Sequence, residues 1–360
     1  MRRLVMVLFA LATAGPAGAQ PRTISAKPDT PFKLATFDAA GRTRIGLVIG
    51  ARVIDIPGAN AALVRDERLD AVPMPTEMRA LIEEYSRVSP RLYQIANHFR
   101  DKTDPAPFVF ELDKVAIKAP IKYPYNVLAA AANYKLHAGE MFPPGSPQQK
   151  AANEADQDKE DPVFFAKSPR SCIIDPGEPF FIPPGRNIDW EGELAIVIGK
   201  PALRVTEAAA HDYVFGYSIM YDLSDRGGTG RKPLTGMFPG PNWFAGKSGD
   251  RSAPFGPFIV PKEFVKEPMN IRHTFTLNGQ VMQDSNTNRM SHNIFELLEY
   301  ASNILTLNPG DVISGGSPAG TNIERAEPRW MRAGDTATCA IDGIGTQTHP
   351  VVAEGATSTQ

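Results

Sequence analysis

A strand that begins with two carboxylates constrains this chain more than any other feature. Residues 189–200 are DWEGELAIVIGK, in which Glu191 and Glu193 precede an apolar run that ends at Gly199. Alternate residues of a strand share a face, so both glutamates point the same way. Burying a carboxylate without a positive partner is costly. The segment therefore predicts a cation or a cationic side chain beside this pair.

A third carboxylate, Asp222, lies near the end of a second apolar segment, YVFGYSIMYDLSDR at 213–226. Three carboxylates at strand ends, with no cysteine or histidine beside them in the sequence, suit a hard divalent cation such as Mg²⁺, Mn²⁺ or Ca²⁺. Zinc would favour imidazole or thiolate ligands. The alternative is a set of solvated residues on an exposed strand face, and the spacing alone leaves both open.

A histidine and a glutamate follow a third apolar segment. In AAANYKLHAGEM (130–141), His137 and Glu140 stand at i and i+3, which are neighbouring positions on a helical turn. A carboxylate beside an imidazole fixes its tautomer and raises its basicity, as a water-activating base requires. The polar segment 142–162 follows at once, so we expect the pair to lie on a closing lid. A surface pair without function is the alternative.

Two glycine-containing segments resemble known motifs without matching them. The tripeptide GKS at 246–248 fails the phosphate-binding loop pattern because the glycine required five residues earlier is missing. Lys247 is either a solvated surface lysine or a charge that neutralises an anionic substrate or an enolate. In GDVISGGSPAGT (310–321), Ser317 fails the nucleophile pattern G-x-S-x-G, because the last position is not glycine. A backbone-amide cradle for a carboxylate fits this segment better.

The composition is that of a soluble protein with many turns. The chain has 360 residues, 42% hydrophobic and 22% charged, with 33 prolines and 30 glycines. A formal net charge of −2 gives no electrostatic case for binding nucleic acid or an anionic membrane. Short alternating segments predict an α+β, β-rich fold. Cys172 and Cys339 could form a disulfide in an oxidising compartment, and two buried free thiols are the alternative.

Two domains are predicted. Residues 20–120 would form a small N-terminal α+β domain, which includes a helix at 75–100 interrupted by Pro90. Residues 121–354 would form the catalytic domain, which includes a helix at about 291–305 with Ser291 as its N-cap. The strands predicted in this larger domain lie at 126–132, 191–199, 214–221, 257–260, 272–278 and 311–315.

The first residues predict export. Arginines at 2–3, an apolar stretch at 4–14 and the tripeptide Ala-Gly-Ala at 17–19 are typical of a secretory signal peptide over residues 1–19. The apolar stretch is too short to span a bilayer. No later segment of the sequence is long and apolar enough to do so. We therefore expect a mature protein without a membrane span in a bacterial periplasm.

Taken together and in this order, the segments resemble the fumarylacetoacetate hydrolase family. The resemblance covers most of the chain and is strongest from about 126 to 322. Its most specific parts are the E-G-E-L-A strand and the G-K-S-x-D…P-x-G-P stretch. The segments that carry it are NYKLHAGE (133–140), FFAKSP (164–169), IDWEGELAIVIGK (188–200), GYSIMYDLSDR (216–226), GKSGDRSAPFGPFIV (246–260), LNGQVMQDSNTNRM (277–290) and LNPGDVISGGSPAG (307–320).

The resemblance implies a mixed β-sandwich or roll with a small N-terminal α+β domain. It also implies a divalent metal, with Mg²⁺ expected before Mn²⁺ or Ca²⁺, a small 2-oxo or dicarbonyl acid as substrate, and a homodimer. Three sets of residues carry over by position: the metal ligands Glu191, Glu193 and Asp222, the catalytic residues His137, Glu140 and Lys247, and the substrate-binding residues Tyr134, Arg226 and Ser317.

The implied chemistry is that of a metal-dependent hydrolase. It would cleave a carbon–carbon bond of a 2,4-dioxo or acylpyruvate-like acid through an enolate, with the His–Glu dyad activating water. A decarboxylase, isomerase or hydratase of the same family, and a secreted binding protein without turnover, are the alternatives. Two departures from the family pattern concern the substrate. Asp225 replaces the usual alanine before Arg226, and GGSP at 315–318 replaces Thr-Gly-Thr-Pro.

Overall fold

The described part of the chain opens with a group of short strands and helices. The computed structural model describes residues 24–140, 142, 145–154, 160–227, 242–322, 325 and 327–355. The strands of the first group are β1 (Lys33–Ala39), β2 (Arg42–Ile49), β3 (Arg52–Asp55), β4 (Val109–Glu111) and β5 (Ala116–Lys118). Its helices are α1 (Ile56–Asp66), α2 (Met78–Glu83) and α3 (Tyr85–Phe99).

The helix predicted at 75–100 is two helices, and the break falls at Glu84 rather than at Pro90. Pro90 lies inside α3, where a proline costs roughly 3 kcal/mol or more. Buried side chains of α3, including Val88 and Leu92, pack into the N-terminal core and offset that cost. The predicted interruption at Pro90 was wrong because tertiary packing overrides local propensity here.

The rest of the chain is rich in strands. They are β6 (Val127–Ala131), β7 (Val163–Lys167), β8 (Ile173–Ile174), β9 (Phe180–Ile182), β10 (Ile188–Asp189), β11 (Gly192–Ile198), β12 (Val214–Tyr221), β13 (Ser224–Asp225), β14 (Ala253–Pro261), β15 (Arg272–Leu277), β16 (Gln280–Asn286), β17 (Val312–Ser314), β18 (Thr336–Ile341) and β19 (Gly345–Ala353). The helices are α4 (Lys135–Glu140), α5 (Pro147–Glu154), α6 (Pro169–Cys172), α7 (Glu207–Ala210), α8 (Trp243–Lys247) and α9 (Ile294–Ile304).

Two mixed sheets form the framework. The larger sheet has the order β4-β3-β2-β1-β14-β12-β11-β17-β6-β7, with β5 paired to β1 and β8 to β14, and the smaller has the order β16-β15-β18-β19-β9. Most pairs of the described strands are antiparallel, whereas β14–β8, β17–β6 and β19–β9 are parallel. The prediction of an α+β, β-rich fold is confirmed. Strand β1 joins the N-terminal group to β14 of the same sheet, and the domain bounds 20–120 and 121–354 stay a prediction.

Strand β11 separates two hydrophobic cores. Leu194 and Ile196 face a core that includes Phe275 of the smaller sheet. Ala195 and Val197 face the core that α1, α2 and α3 cover. A strand buried on both faces requires an uninterrupted apolar run. This requirement explains the sequence that follows Glu193.

The register of β11 and β12 brings the carboxylates together. The two strands are antiparallel, and Gly192 pairs with Tyr221. The backbone N–H of Asp222 donates to the carbonyl oxygen of Glu191 at 2.8 Å. The start of one strand and the end of the other therefore meet at the same edge of the sheet.

Helix α9 begins later than the sequence predicts. Its N-cap is Asn293, not Ser291, within the predicted range 291–305. The Asn293 side chain accepts hydrogen bonds from the N–H groups of Phe295 and Glu296, and the Glu296 side chain accepts one in return. Asparagine and serine cap helices about equally well, so cap preference could not choose between them.

Candidate active site

Three buried carboxylates form a compact acidic cluster. One oxygen from each of Glu191, Glu193 and Asp222 lies within 4.8 Å of the others, and all three residues are buried. Like charges this close repel each other strongly where water is excluded. Carboxylate oxygens are the ligands that Mg²⁺, Mn²⁺ and Ca²⁺ prefer. The three residues therefore fit a divalent metal ion, and they are not solvated strand-edge residues.

Two buried ammonium groups contact the cluster. Lys247 Nζ lies 2.9 Å from Glu191 Oε2 and 2.6 Å from Asp222 Oδ2, and Lys167 Nζ lies 2.5 Å from Asp222 Oδ1. Burial by itself lowers the pKa of Lys247, but the charges of Asp222 and Glu191 outweigh burial and raise that pKa. Lys247 thus keeps its charge inside the site and is not a solvated surface lysine.

Lys167 is a site residue that the sequence analysis did not identify. It ends β7 and is 2% exposed. The available signal was a lysine at the end of the apolar strand VFFAK, because a buried ammonium requires a carboxylate partner. Its partner Asp222 is 55 residues away in sequence, so no local pattern could identify the pair.

Glu193 is held by the segment in which a carboxylate cradle was predicted. The Gly316 N–H donates to Glu193 Oε2 at 3.0 Å, and the Ser314 hydroxyl donates to the same oxygen. The carboxylate in this cradle belongs to the chain itself. Burial and the charges of Asp222 and Glu191 raise the pKa of Glu193 to about 8. A cation beside this carboxyl group would favour its ionised form.

Glu191 is surrounded by donors. The Arg226 guanidinium and the Ser224 hydroxyl, the latter at 2.9 Å, both donate to Glu191 Oε1. Burial alone would raise the pKa of Glu191, but the charges of Lys247 and Arg226 outweigh burial and hold that pKa below its usual range. The structure therefore places Arg226, predicted as a substrate-binding residue, in direct contact with the cluster.

His137 lies close to the cluster, on helix α4. It is buried and close enough to Glu191 that a protonated imidazole there would lower the pKa of this carboxyl group. Glu140 ends the same helix, and its side chain lies outside the described part of the structure. The His137–Glu140 contact stays a prediction. So does the lid, because segment 142–162 lies partly outside the described residues.

Tyr134 and Ser317, the other two predicted substrate-binding residues, are buried. Tyr134 Oη lies 3.4 Å from His273 Nε2. The Ser317 hydroxyl accepts a hydrogen bond from Gln283 Nε2 at 2.8 Å, while Gln283 Oε1 accepts one from the Gly192 N–H at 3.0 Å. Ser317 is therefore linked through Gln283 to Gly192, the glycine between Glu191 and Glu193. The substrate-binding roles of Tyr134 and Ser317 stay predictions.

Cys172 and Cys339 are buried free thiols. Of the two possibilities that the sequence left open, the structure therefore has the free thiols and not the disulfide. Burial raises the pKa of both. Cys339 packs closely against Gly192 of β11: a Cβ atom at Gly192 would lie only 2.8 Å from the Cys339 Sγ. The glycine between the two glutamates therefore leaves room for this close packing.

Lys167→Met is expected to lower the free energy of unfolding by about 3 kcal/mol, because it removes one partner of a buried ion pair while nearly keeping the volume. Lys118→Met is the matched control. Lys118 Nζ lies 2.8 Å from the buried Asp175, but its side chain is 34% exposed, so we expect a loss of about 1 kcal/mol or less. Urea denaturation monitored by circular dichroism measures the free energy of unfolding of both variants. Equal losses in the two variants would contradict the account of Lys167.

The fold and the acidic cluster define a β-rich α+β protein with a candidate divalent-metal site. Residues 126–352 match the family model described as fumarylacetoacetate (FAA) hydrolase C-terminal. The matched part is more than half of the chain. The chain belongs to the fumarylacetoacetate hydrolase family, as the resemblance predicted.

Two relatives and one solved structure are similar to this chain over about nine tenths of its length. A mitochondrial oxaloacetate tautomerase of Xenopus laevis is 31% identical over 92% of this chain and 93% of the relative. Oxaloacetate tautomerase YisK of Bacillus subtilis is 31% identical over 89% of this chain and 100% of the relative. A crystal structure of maleylpyruvate hydrolase from Sphingobium sp. SYK-6, in complex with manganese(II) and pyruvate, has a TM-score of 0.65 and 26% identity, covering 89% of this chain and 99% of that one.

The prediction of export to a periplasm was wrong. The Xenopus laevis relative, which matches 92% of this chain, is a mitochondrial enzyme. Mitochondrial leader sequences are also rich in arginine and poor in acidic residues, so arginines at the start of a chain do not by themselves specify a periplasm. The predicted signal peptide at 1–19 lies outside the described residues. Within the described residues, no helix has the length and apolar character needed to cross a membrane.

Proposed function

We propose that this protein interconverts the keto and enol forms of a 2-oxo dicarboxylate such as oxaloacetate, with a divalent metal as cofactor. The observation that carries the proposal is the buried acidic cluster with Lys167 and Lys247 against it and His137 beside it. This arrangement combines a metal site, fixed positive charge and a candidate base. The two tautomerase relatives that match 89% or more of the chain support this choice.

Each group has a separate task in the proposed reaction. Glu191, Glu193 and Asp222 would hold the ion, with Mg²⁺ expected and Mn²⁺ or Ca²⁺ as alternatives. When bound, the ion polarises the 2-oxo group of the substrate. His137 would take the proton from C3 of the keto form and then deliver it to the 2-oxo oxygen, which gives the enol and returns the imidazole to its neutral form. Lys247 supplies positive charge near the developing enolate oxygen.

Carbon–carbon bond hydrolysis is the second candidate. The similarity to the manganese- and pyruvate-bound maleylpyruvate hydrolase favours it, and so does the predicted His137–Glu140 dyad, which would activate water. Hydrolysis needs an activated water at the substrate carbonyl, whereas tautomerisation needs proton transfer alone. The homodimer implied by the resemblance stays a prediction for either reaction.

One assay pair separates the two candidates. We expect the protein with Mg²⁺ to accelerate the loss of enol absorbance in fresh oxaloacetate solutions, and EDTA to abolish the acceleration. We expect no release of pyruvate from maleylpyruvate or other 2,4-dioxo acids, measured with lactate dehydrogenase. Metal-dependent pyruvate release without any effect on oxaloacetate would favour the hydrolase instead. A protein that binds these acids but turns over none would be a binding protein, and both candidates would fail.

A further inference from the structure

A two-stranded ribbon carries Arg226 to the acidic cluster. Strands β10 and β13 are antiparallel, and Ile188 pairs with Asp225. Beyond the strands, the Arg226 N–H donates to the Asn187 carbonyl at 2.8 Å, and the Asn187 N–H donates to the Gly227 carbonyl at 2.7 Å. The ribbon thus fixes the backbone of Arg226 on one side of the site.

The guanidinium of Arg226 reaches two buried carboxylates. Its Nε lies 3.2 Å from Asp189 Oδ2, and its Nη2 donates to Glu191. Asp189 and Glu191 are buried, while the Arg226 side chain is 21% exposed. Arg226 therefore links the ribbon to one corner of the acidic cluster, beside the Ser224 hydroxyl of β13, which donates to the same Glu191 oxygen at 2.9 Å.

Asp225, the residue before Arg226, bonds to a different part of the ribbon. Its Oδ1 accepts a hydrogen bond from the Gly227 N–H at 2.8 Å, and its other oxygen forms an ion pair with Arg186. Arg226, directly after β13, faces the cluster, while Asp225 makes its contacts with Gly227 and Arg186.

We propose that Asp225 and Arg186 form a clamp that fixes the backbone of Arg226 and Gly227, directly after β13, and so positions Arg226 on Glu191 and Asp189. Asp225 is a positioning residue in this proposal, because it acts on the cluster through Arg226. The residue that follows Arg226 is Gly227, with φ of +95°. Glycine is the residue with the greatest backbone freedom. The hydrogen bond from the Gly227 N–H to Asp225 therefore restricts a backbone position that would otherwise be flexible.

Three variants separate the two bonds of Asp225. Asp225→Ala removes both, Asp225→Asn removes the ion pair but keeps an acceptor for the Gly227 N–H, and Arg186→Gln removes the ion pair from the other side. Partners that orient a metal ligand typically change metal affinity 10- to 100-fold when removed. We expect Asp225→Ala to weaken Mn²⁺ binding about tenfold, the lower end of that range, because Asp225 acts through Arg226. The other two variants each keep the acceptor for the Gly227 N–H, so we expect them to weaken binding less, about threefold.

The test combines a metal titration, steady-state kinetics and a control. Isothermal titration calorimetry gives the Mn²⁺ Kd, and we expect kcat to fall in parallel while KM changes less. The double variant Asp225→Asn/Arg186→Gln should bind Mn²⁺ no more weakly than the more affected of the two single variants, because each single substitution already removes the same ion pair. Asp284→Ala is the control, because it removes the exposed Arg272–Asp284 pair at 2.8 Å on the smaller sheet. It should leave the Mn²⁺ Kd and kcat unchanged.

The kinetic part of this test rests on the proposed function, whereas the Mn²⁺ titration does not. Failure of the clamp can therefore be distinguished from failure of the proposed function. Variants with lower thermal stability but unchanged Mn²⁺ Kd and kcat would overturn the clamp, because Asp225 would then be merely structural. If the unmodified protein binds Mn²⁺ without turning over oxaloacetate, the proposed function fails, and the Mn²⁺ comparison still decides the clamp. If Asp225→Ala does not fold, Asp225→Asn and Arg186→Gln decide it.

Discussion

Glu193→Gln is expected to weaken Mn²⁺ binding by on the order of 100-fold or more and to remove turnover at ordinary metal concentrations. The change deletes one of three anionic ligands, and replacing a partner that only supports a ligand already costs 10- to 100-fold. The fold should survive. Glutamine keeps the size of the side chain and an oxygen that can accept from the Gly316 N–H and the Ser314 hydroxyl. Calorimetric titration with Mn²⁺ and the oxaloacetate assay measure the two effects.

The matched control for this prediction is Asp175→Asn. Asp175 is also buried, and it pairs with two lysines, Lys118 and Lys122 at 2.8 and 2.9 Å, but it is not part of the acidic cluster. We expect Asp175→Asn to lower stability and to leave the Mn²⁺ Kd unchanged. The assignment of the cluster would be wrong if both variants weakened Mn²⁺ binding equally, or if Glu193→Gln left it unchanged.

His137→Ala is expected to reduce kcat by about 10²–10⁴-fold, the typical loss of a positioned general base. Its Mn²⁺ Kd should change little, because the three carboxylates and not the imidazole would hold the ion. KM should also change much less than kcat, since the metal and Lys247 would bind the substrate. The comparison of Glu193→Gln with His137→Ala therefore separates metal binding from proton transfer.

A second variant tests the predicted partner of this histidine. Glu140→Gln should reduce kcat in the same direction but less, because it weakens the orientation of the imidazole without deleting it. Steady-state kinetics of both variants at saturating Mg²⁺ gives the comparison. Near-normal turnover of His137→Ala would exclude His137 as the base and would direct attention to another proton carrier in the site.

The sequence indicates part of the acidic cluster through a local pattern, although the spacing alone left a metal site and a solvated strand face both open, and the resemblance supplied the full ligand set. Glu191 and Glu193 are two residues apart on an apolar strand, and the alternation of a strand places them on one face. The third member, Asp222, directly follows the next long strand, β12, and antiparallel pairing brings it back to the same edge. Pattern and topology thus agree for these three residues.

The contacts of the cluster were harder to predict because they are long-range. Lys167 comes from β7, on the far side of β6 and β17 in the sheet order, and the cradle for Glu193 comes from residues 314–316, more than 100 positions along the chain. The break at Glu84 and the N-cap at Asn293 escaped prediction for a different reason. In both places several residues satisfy the local rule, and tertiary packing selects one of them.

The central claim is that Glu191, Glu193 and Asp222 hold a divalent ion on which the chemistry depends. Anomalous diffraction from a crystal soaked in Mn²⁺ tests it most directly, because the scattering identifies the metal and its place without reference to any substrate. We expect one strong peak within about 2.0–2.6 Å of an oxygen from each of the three carboxylates, the range of oxygen ligands around hard divalent cations. Well-occupied manganese elsewhere, with no peak at these carboxylates, would contradict it.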